Sequence, residues 1–312
     1  MGLRAMTGLY LAHRRDNANL IRAVVVYRHD GLGCRLMSLG NGLRIARRLG
    51  VQCYMAWNER DRIGGIGNLG ILLDVPAMAP EVIVLTLAQA LRELSPAHIA
   101  YDRHKSVVRG ESLTDADVFL CGYPELQRFD DEVDSPELRN SLADALRLLA
   151  PAPALAKRIR DFTSQHDLAA AVGVHVRRGD IVTNERYRGR IIELDRYFAV
   201  LDAVAPDEPL FLCTEDQPVV EAFLARYPGR VMRYATRSWK RGERAAAEDA
   251  LIEMMLLSGT RYIIGGQSAF SRFAAARNLI PFALMENRHG LDKSIEIATA
   301  ATRAGPALAL SP

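Results

Sequence analysis

The sequence predicts an α/β protein with mostly parallel sheets, laid out as two successive halves. Three observations carry this. From residue 22 onward, short β-branched runs alternate with amphipathic segments, the pattern of strands joined by crossover helices. The alternation breaks in an acidic, proline-marked stretch between 128 and 153 and then starts afresh. Finally, 312 residues with 49% hydrophobic and 25% charged side chains give length for two ordinary domains and the balance of a globular chain.

In the first half, Ala23-Val-Val-Val-Tyr27 reads as a buried strand that runs into Gly31-Leu-Gly33. Leu36, Leu39, Leu43 and Ala46 then recur three or four apart, which predicts a helix over 34–49. A strand is expected at 51–57, a helix at 80–94 and a strand at 117–121. Asp130, Asp131, Glu132 and Asp134 lead into a helix over 136–149, and Pro151-Ala-Pro153 marks the junction. In the second half, strands are expected at 168–176, 209–213, 230–234, 261–264 and 281–285, with helices at 194–204, 218–227, 245–257 and 269–276. Two Rossmann-like domains, 1–152 and 153–312, are the simplest architecture. No repeat of fixed period supports a solenoid or propeller.

Forty Lys+Arg against thirty-seven Asp+Glu leave a net charge of +3, too mild to imply nucleic acid. Nearly all the positive charge is arginine, whose forked donors grip phosphate or carboxylate bidentately, so a small anionic ligand is the better expectation. Cys34, Cys53, Cys121 and Cys213 are scattered, without the spacing of a disulfide framework or a zinc site. The apolar patch at 8–12 is too brief for a signal-peptide core, and no run approaches the ~18 apolar residues of a spanning helix. A cytoplasmic protein without stable membrane insertion is therefore expected; oligomeric state is not legible.

The segment that says most is Val172-Gly-Val-His-Val-Arg-Arg-Gly-Asp180, a buried strand delivering His175, Arg177, Arg178 and Asp180 at its carboxyl end. Ligands of open α/β sheets bind at that end. Alternation puts His175 and Arg177 on one face, with Arg178 on the other or already in the loop. Adjacent guanidiniums beside a glycine can clamp a diphosphate; an Arg–Asp pair closing the strand has the same spacing. Gly31-Leu-Gly33-Cys34, between a strand and a helix, can offer backbone N–H groups to a phosphate or can be a tight turn. It is no dinucleotide fingerprint, because the third glycine would fall at Leu36. A third candidate pairs Asp249 and Glu253, four apart on one helix face, with Gly265-Gly-Gln-Ser268-Ala-Phe-Ser271. Ser268 and Ser271 there can contact an anion or cap a helix.

Read in order, Gly31-Leu-Gly-Cys34, His175-Val-Arg-Arg-Gly-Asp180, Leu212-Cys-Thr-Glu-Asp216 and Ser268-Ala-Phe-Ser271 resemble the α-1,6-fucosyltransferase and protein O-fucosyltransferase superfamily. The likeness spans about residues 22–290 and lies nearest to the rhizobial nodulation fucosyltransferases, which decorate chitin oligosaccharides. It implies a GT-B fold, two Rossmann-like domains facing a cleft, with GDP-fucose held mainly by the C-terminal domain and an oligosaccharide acceptor on the N-terminal side. By position it implies Arg178 as the arginine on the β-phosphate, with Arg177, His175 and Asp180 in the same site. Glu253 falls where relatives carry an acidic residue, usually Asp, against guanine and ribose. Ser268 and Ser271 fall at the phosphate turn, although Gly-Gly-Gln replaces its common Thr/Ser-rich form. Glu185 stands where the general base of mammalian core fucosyltransferases is proposed.

Inverting transfer needs a stabilised leaving diphosphate and a base for the acceptor hydroxyl, and arginine supplies the first without a metal. Asp115-Ala-Asp117, which elsewhere would hold a divalent cation, lies away from these motifs, so no metal is expected. Trp57 and Trp239 can stack on sugars or pack in a core. The basic run 237–244 is expected as a loop near the donor. A different nucleotide sugar on the same fold, or a catalytically silent nucleotide-binding protein, would leave the same motifs.

Overall fold

The computed structural model describes residues 21–57, 69–101, 106–113, 116–183, 185–240 and 242–304, with the backbone alone for 111, 112, 180, 183 and 186–188. The chain divides into two compact units, Met1–Ala152 and Pro153–Pro312.

The first unit is built on strands β1 (Ala23–Tyr27), β2 (Gln52–Ala56), β3 (Val82–Leu85), β4 (Ile99–Tyr101) and β6 (Val118–Cys121), in the order β3-β2-β1-β6-β4. Every pairing in this sheet is parallel. Strands β5 (Val107–Val108) and β7 (Arg128–Phe129) form a separate parallel pair. The helices are α1 (Leu32–Leu49), α2 (Val75–Met78), α3 (Leu87–Leu94) and α4 (Pro136–Arg147). A fully covered parallel strand is apolar along its whole length, and the first four residues of β1 are buried accordingly. Helix α1 packs close to it because of Gly42, where a Cβ would stand 2.1 Å from Val26 Cγ2.

The stretch 80–94, expected as one helix, is strand β3 followed by α3. The Val82-Ile-Val-Leu85 run is β-branched and pairs with β2. Thr86 then starts the helix with a capping box, accepting from the Gln89 N–H while the Gln89 side chain accepts from the Thr86 N–H.

The second unit contains α5 (Pro153–Thr163), β8 (Val172–His175), α6 (Gly179–Thr183), α7 (Leu194–Val204), β9 (Leu210–Cys213), α8 (Gln217–Arg226) and β10 (Val231–Met232). It continues with α9 (Arg244–Leu257), β11 (Tyr262–Gly265), α10 (Ala269–Asn278), β12 (Phe282–Leu284) and α11 (Leu291–Arg303). Its sheet is again parallel, in the order β10-β9-β8-β11-β12. The core gathers Val172, Val174, Val200, Leu210, Phe223 and Ile264. The expected strand 168–176 is shorter: Asp167 accepts from the Ala169 and Ala170 N–H groups and closes a 3₁₀ turn over Leu168–Ala170 before β8 begins. Helix α5, to whose residues the sequence pattern assigned no element, starts directly at the junction, with Pro153 at its first position, where a missing N–H costs no bond. Helix α11 extends the fold past the last expected strand, packed against the sheet through Ala298 and Ala301.

Candidate functional site

From β8 the chain passes through α7 to β9 and β10 on one side, then returns to place β11 on the other. The carboxyl ends of β8 and β11 therefore flank a topological switch point, where the crevice of an open α/β sheet lies. His175 is the last residue of β8, and the Val176 N–H extends the ladder to the Cys213 carbonyl at 3.0 Å. Arg177 and Arg178 thus lie past the strand, and strand alternation does not decide which way they point. Gly179 has φ +22, and a Cβ there would stand 2.3 Å from Glu215 Oε1. The glycine lets the chain turn into α6 against that carboxylate.

His175 is 4% exposed. Its Nδ1 lies 2.6 Å from Ser271 Oγ, and its ring stacks on Phe270 with centroids 4.6 Å apart. Burial, helped by the Arg177 charge, lowers its pKa to about 3, so the imidazole is neutral at physiological pH. The Tyr197 hydroxyl, brought in by α7, donates to the His175 carbonyl at 3.0 Å and accepts from the Gly266 N–H. One phenol thus ties the end of β8 to the turn after β11. The Ser268 hydroxyl accepts from the Phe270 N–H as the N-cap of α10. The two serines serve a helix cap and a buried imidazole.

Arg178 is 9% exposed. Its Nη1 donates to the Ile192 carbonyl at 2.9 Å, and its charge reaches the Tyr197 hydroxyl. Among the described residues no carboxylate pairs with it. A buried cation without a counter-ion is costly, and an arriving anion relieves that cost. Arg177 is half-buried, and of the Asp180 side chain nothing is described.

On α9, Glu253 is 9% exposed. Burial, then the nearby Glu215 and Asp249 carboxylates, push it well above the ordinary value against a smaller pull from Arg233. The shift favours the protonated form, which can donate a hydrogen bond. One turn earlier, Asp249 behaves in the opposite way. Burial raises it, but hydrogen bonds from Arg237 and Arg158 outweigh that and hold it low. Its Oδ1 receives Arg158 Nη2 at 2.7 Å and its Oδ2 the Arg237 N–H at 2.6 Å. The start of the basic run 237–244 is therefore fastened to α9. Residue 241 lies outside the described residues. Thr214, just past β9, has a buried hydroxyl with no hydrogen-bond partner among the described residues.

The remaining expected residues lie elsewhere. Glu185 is exposed at the start of the 3₁₀ turn Glu185–Arg190. Gly31, Gly33 and Cys34 belong to the first unit. Gly31 is the N-cap of α1 with φ −56 and open space where a Cβ would stand, so its backbone does not demand glycine. Gly33 is buried and Cys34 half-buried. Trp57 is buried with Arg35 above its ring at 4.8 Å, whereas Trp239 is exposed. Asp117 of the Asp-x-Asp pairs with Arg22 at 3.0 Å, and Asp115 lies outside the described residues. Cys53, Cys121 and Cys213 are buried free thiols.

No protein-family model matches the chain, and no curated protein does. Solved structures match it over most of its length. The α-1,6-fucosyltransferase NodZ co-crystallised with GDP aligns with TM-score 0.58 at 19% identity, covering 86% of this chain and 96% of NodZ. NodZ soaked with GDP-fucose gives TM-score 0.56 at 20% identity, over 82% and 92%. A mutant of Arabidopsis thaliana FUT1 in complex with GDP gives 0.55 at 13%, over 94% of this chain and 80% of that one. This chain has the NodZ fold. The expected class, α/β with two Rossmann-like units of the GT-B kind, is the one found.

Within this NodZ-like fold, the motif reading missed three residues around Arg178. Ile192 contributes only a carbonyl, which no side-chain pattern reveals. Tyr197 sits in the apolar stripe of α7, and its one signal is that a buried phenol needs a hydrogen-bond partner. Glu215 stands inside the quoted Leu212–Asp216 segment, yet only the folded chain sets it against Gly179. No described helix is long and apolar enough to cross a membrane.

Proposed function

We propose that the protein is an inverting glycosyltransferase that transfers L-fucose from GDP-fucose to a hydroxyl of a glycan or oligosaccharide. One observation carries the reading: a guanidinium, Arg178, nine-tenths buried at the switch-point edge without a carboxylate partner among the described residues. The NodZ structures that share the fold hold GDP or GDP-fucose, which supports a nucleoside diphosphate as the matching anion.

In the proposed reaction the acceptor oxygen attacks the anomeric carbon of fucose while the bond from that carbon to the β-phosphate oxygen breaks. GDP leaves with the electron pair, and the acceptor proton passes to a base, for which Glu185 is the assigned candidate. Arg178, with Arg177 beside it, meets the charge that grows on the diphosphate, so the assignment needs no metal. Neutral His175 and Ser271 support the floor of this site, while Asp180, Ser268 and Glu253 complete the donor side. Gly31, Gly33 and Cys34 are assigned as substrate-binding residues of the N-terminal unit, the proposed acceptor side. The catalyst acts without membrane insertion, in the cytoplasm.

Calorimetric titration with GDP and mass analysis of fucosylated chitin oligosaccharides test this together. The expected result is GDP binding that weakens about 10–100-fold in Arg178→Ala, on the scale of a charge-assisted contact. Unchanged affinity in that variant would overturn the assignment. GDP binding without transfer from any of a panel of GDP-sugars would identify a silent nucleotide-binding protein instead.

A further inference from the structure

The carbonyl that holds Arg178 lies in a segment without regular structure: residues 191–193 belong to neither helix nor strand. Its position is set from far along the chain. Asn287 Nδ2 donates to the Gly189 carbonyl at 2.8 Å, across 98 residues of sequence, and to the Ile191 carbonyl at 2.6 Å. The next carbonyl, that of Ile192, accepts Arg178 Nη1. Because a peptide unit is planar, fixing the Ile191 carbonyl fixes the Ile192 nitrogen and narrows the directions open to the Ile192 carbonyl.

The platform under Asn287 is itself anchored. The Met285 N–H continues the β11–β12 ladder to the Gly265 carbonyl at 2.9 Å. Gln267 Nε2 donates to Glu286 Oε1 at 2.6 Å, and Arg196 Nη1 to the Glu286 carbonyl at 3.1 Å. Arg288 pairs with the other Glu286 oxygen at 2.6 Å. The turn after β11, the first turn of α7 and Arg288 thus converge on Glu286, the residue before Asn287, whose exposed amide donates to the segment leading to Ile192.

We propose that Asn287 is a positioning residue for the Arg178 site: it holds the Ile192 carbonyl so that the guanidinium is presented at the carboxyl edge of β8. The inference rests on the GDP reading above and adds a residue that none of the sequence motifs contains. Since Asn287 is exposed, substitutions there leave the core intact.

The test is a double-mutant cycle on GDP affinity, with thermal midpoints measured alongside. Asn287→Ala weakens GDP binding about tenfold while the midpoint moves by no more than about 2–4 °C. Asn287→Asp, which sets a carboxylate against two carbonyl oxygens, weakens it further. In an Arg178→Lys background, where the planar fork is gone, Asn287→Ala changes the affinity by less than about twofold, because the two residues act as one unit. Parent-like affinity in both Asn287 variants overturns this inference alone, and so does a full tenfold loss in the Arg178→Lys background. A parent protein that binds no GDP overturns the donor reading and this inference together.

Discussion

The two sheets follow one plan, a central strand with a switch point beside it, yet their carboxyl edges treat arginine in opposite ways. In the first unit Arg35 is 1% exposed and answered by the protein. Its Nε donates to the Asp30 carbonyl at 2.7 Å and its Nη2 to the His29 carbonyl at 3.0 Å, under the Trp57 ring. Its neighbour Arg28 is paired with Asp30, Nε to Oδ1 at 2.6 Å. In the second unit Arg178 is buried almost as deeply and has one carbonyl contact and no carboxylate partner among the described residues. A Rossmann-like edge is therefore not an anion site merely because it carries arginine. What matters is whether the fold has already compensated the charge, since an uncompensated buried cation is the one that gains most from an anion.

The sharpest way to break this comparison is to make the same change at both arginines. Arg178→Met lowers the rate of the proposed fucosyl transfer about 10²–10³-fold, the scale of losing one donor to a developing oxyanion. Its effect on stability is the smaller of the two, because removing a buried charge offsets the one donor that the Ile192 carbonyl loses. Arg35→Met destabilises by about 1–3 kcal/mol, since two part-buried carbonyls lose their donors at once. Equal losses of stability in urea denaturation would erase the contrast.

A smaller effect is expected at Glu253, the buried acid of the second edge. Its carboxyl is raised in the folded state, so the native chain holds this proton more tightly than the unfolded one. That contribution is complete below the ordinary glutamate value of about 4.3 and is lost as pH rises toward the raised folded value. Glu253→Gln removes the decline, raising the thermal midpoint at pH 8 by roughly 2–4 °C with a difference that closes near pH 4. A gain that is the same at both pH values would contradict the assignment of a raised pKa.

The smallest effect on stability belongs to Gly31. With φ −56 and open space at the Cβ position, Gly31→Ala stays within about 0.5 kcal/mol of the parent in denaturation. Its kcat/KM falls by less than about tenfold if a substrate approaches this backbone. No change in kcat/KM would remove Gly31 from the substrate site.

Much of the architecture was legible because hydrophobic period and turn chemistry are local. Ala23–Tyr27 and Leu194–Val204 fall where the pattern puts them. The merged helix over 80–94 marks the limit of that approach: a four-residue buried strand and an eight-residue helix make one apolar stretch unless the Thr86 cap is read as a start signal. At the site, the motifs named Arg178 and His175 but not their surroundings. Tyr197, Ile192 and Asn287 act through a phenol in an apolar stripe, a main-chain carbonyl and an amide about a hundred residues away, and none of these leaves a side-chain signature.

By itself the sequence determined the alternation of parallel strands and crossover helices, the break near 150, and the adjacency of His175, Arg177 and Arg178 at a strand's end. These follow from periodicity and covalent neighbourhood, which a linear string contains. Only the tertiary structure decided that Arg178 is buried without a carboxylate partner among the described residues, that Asp249 is pushed down while Glu253 one turn away is pushed up, and that Arg35 meets two main-chain carbonyls under the Trp57 ring. Charge compensation depends on which groups meet across the sheet, and residues far apart in the chain meet only once it has folded.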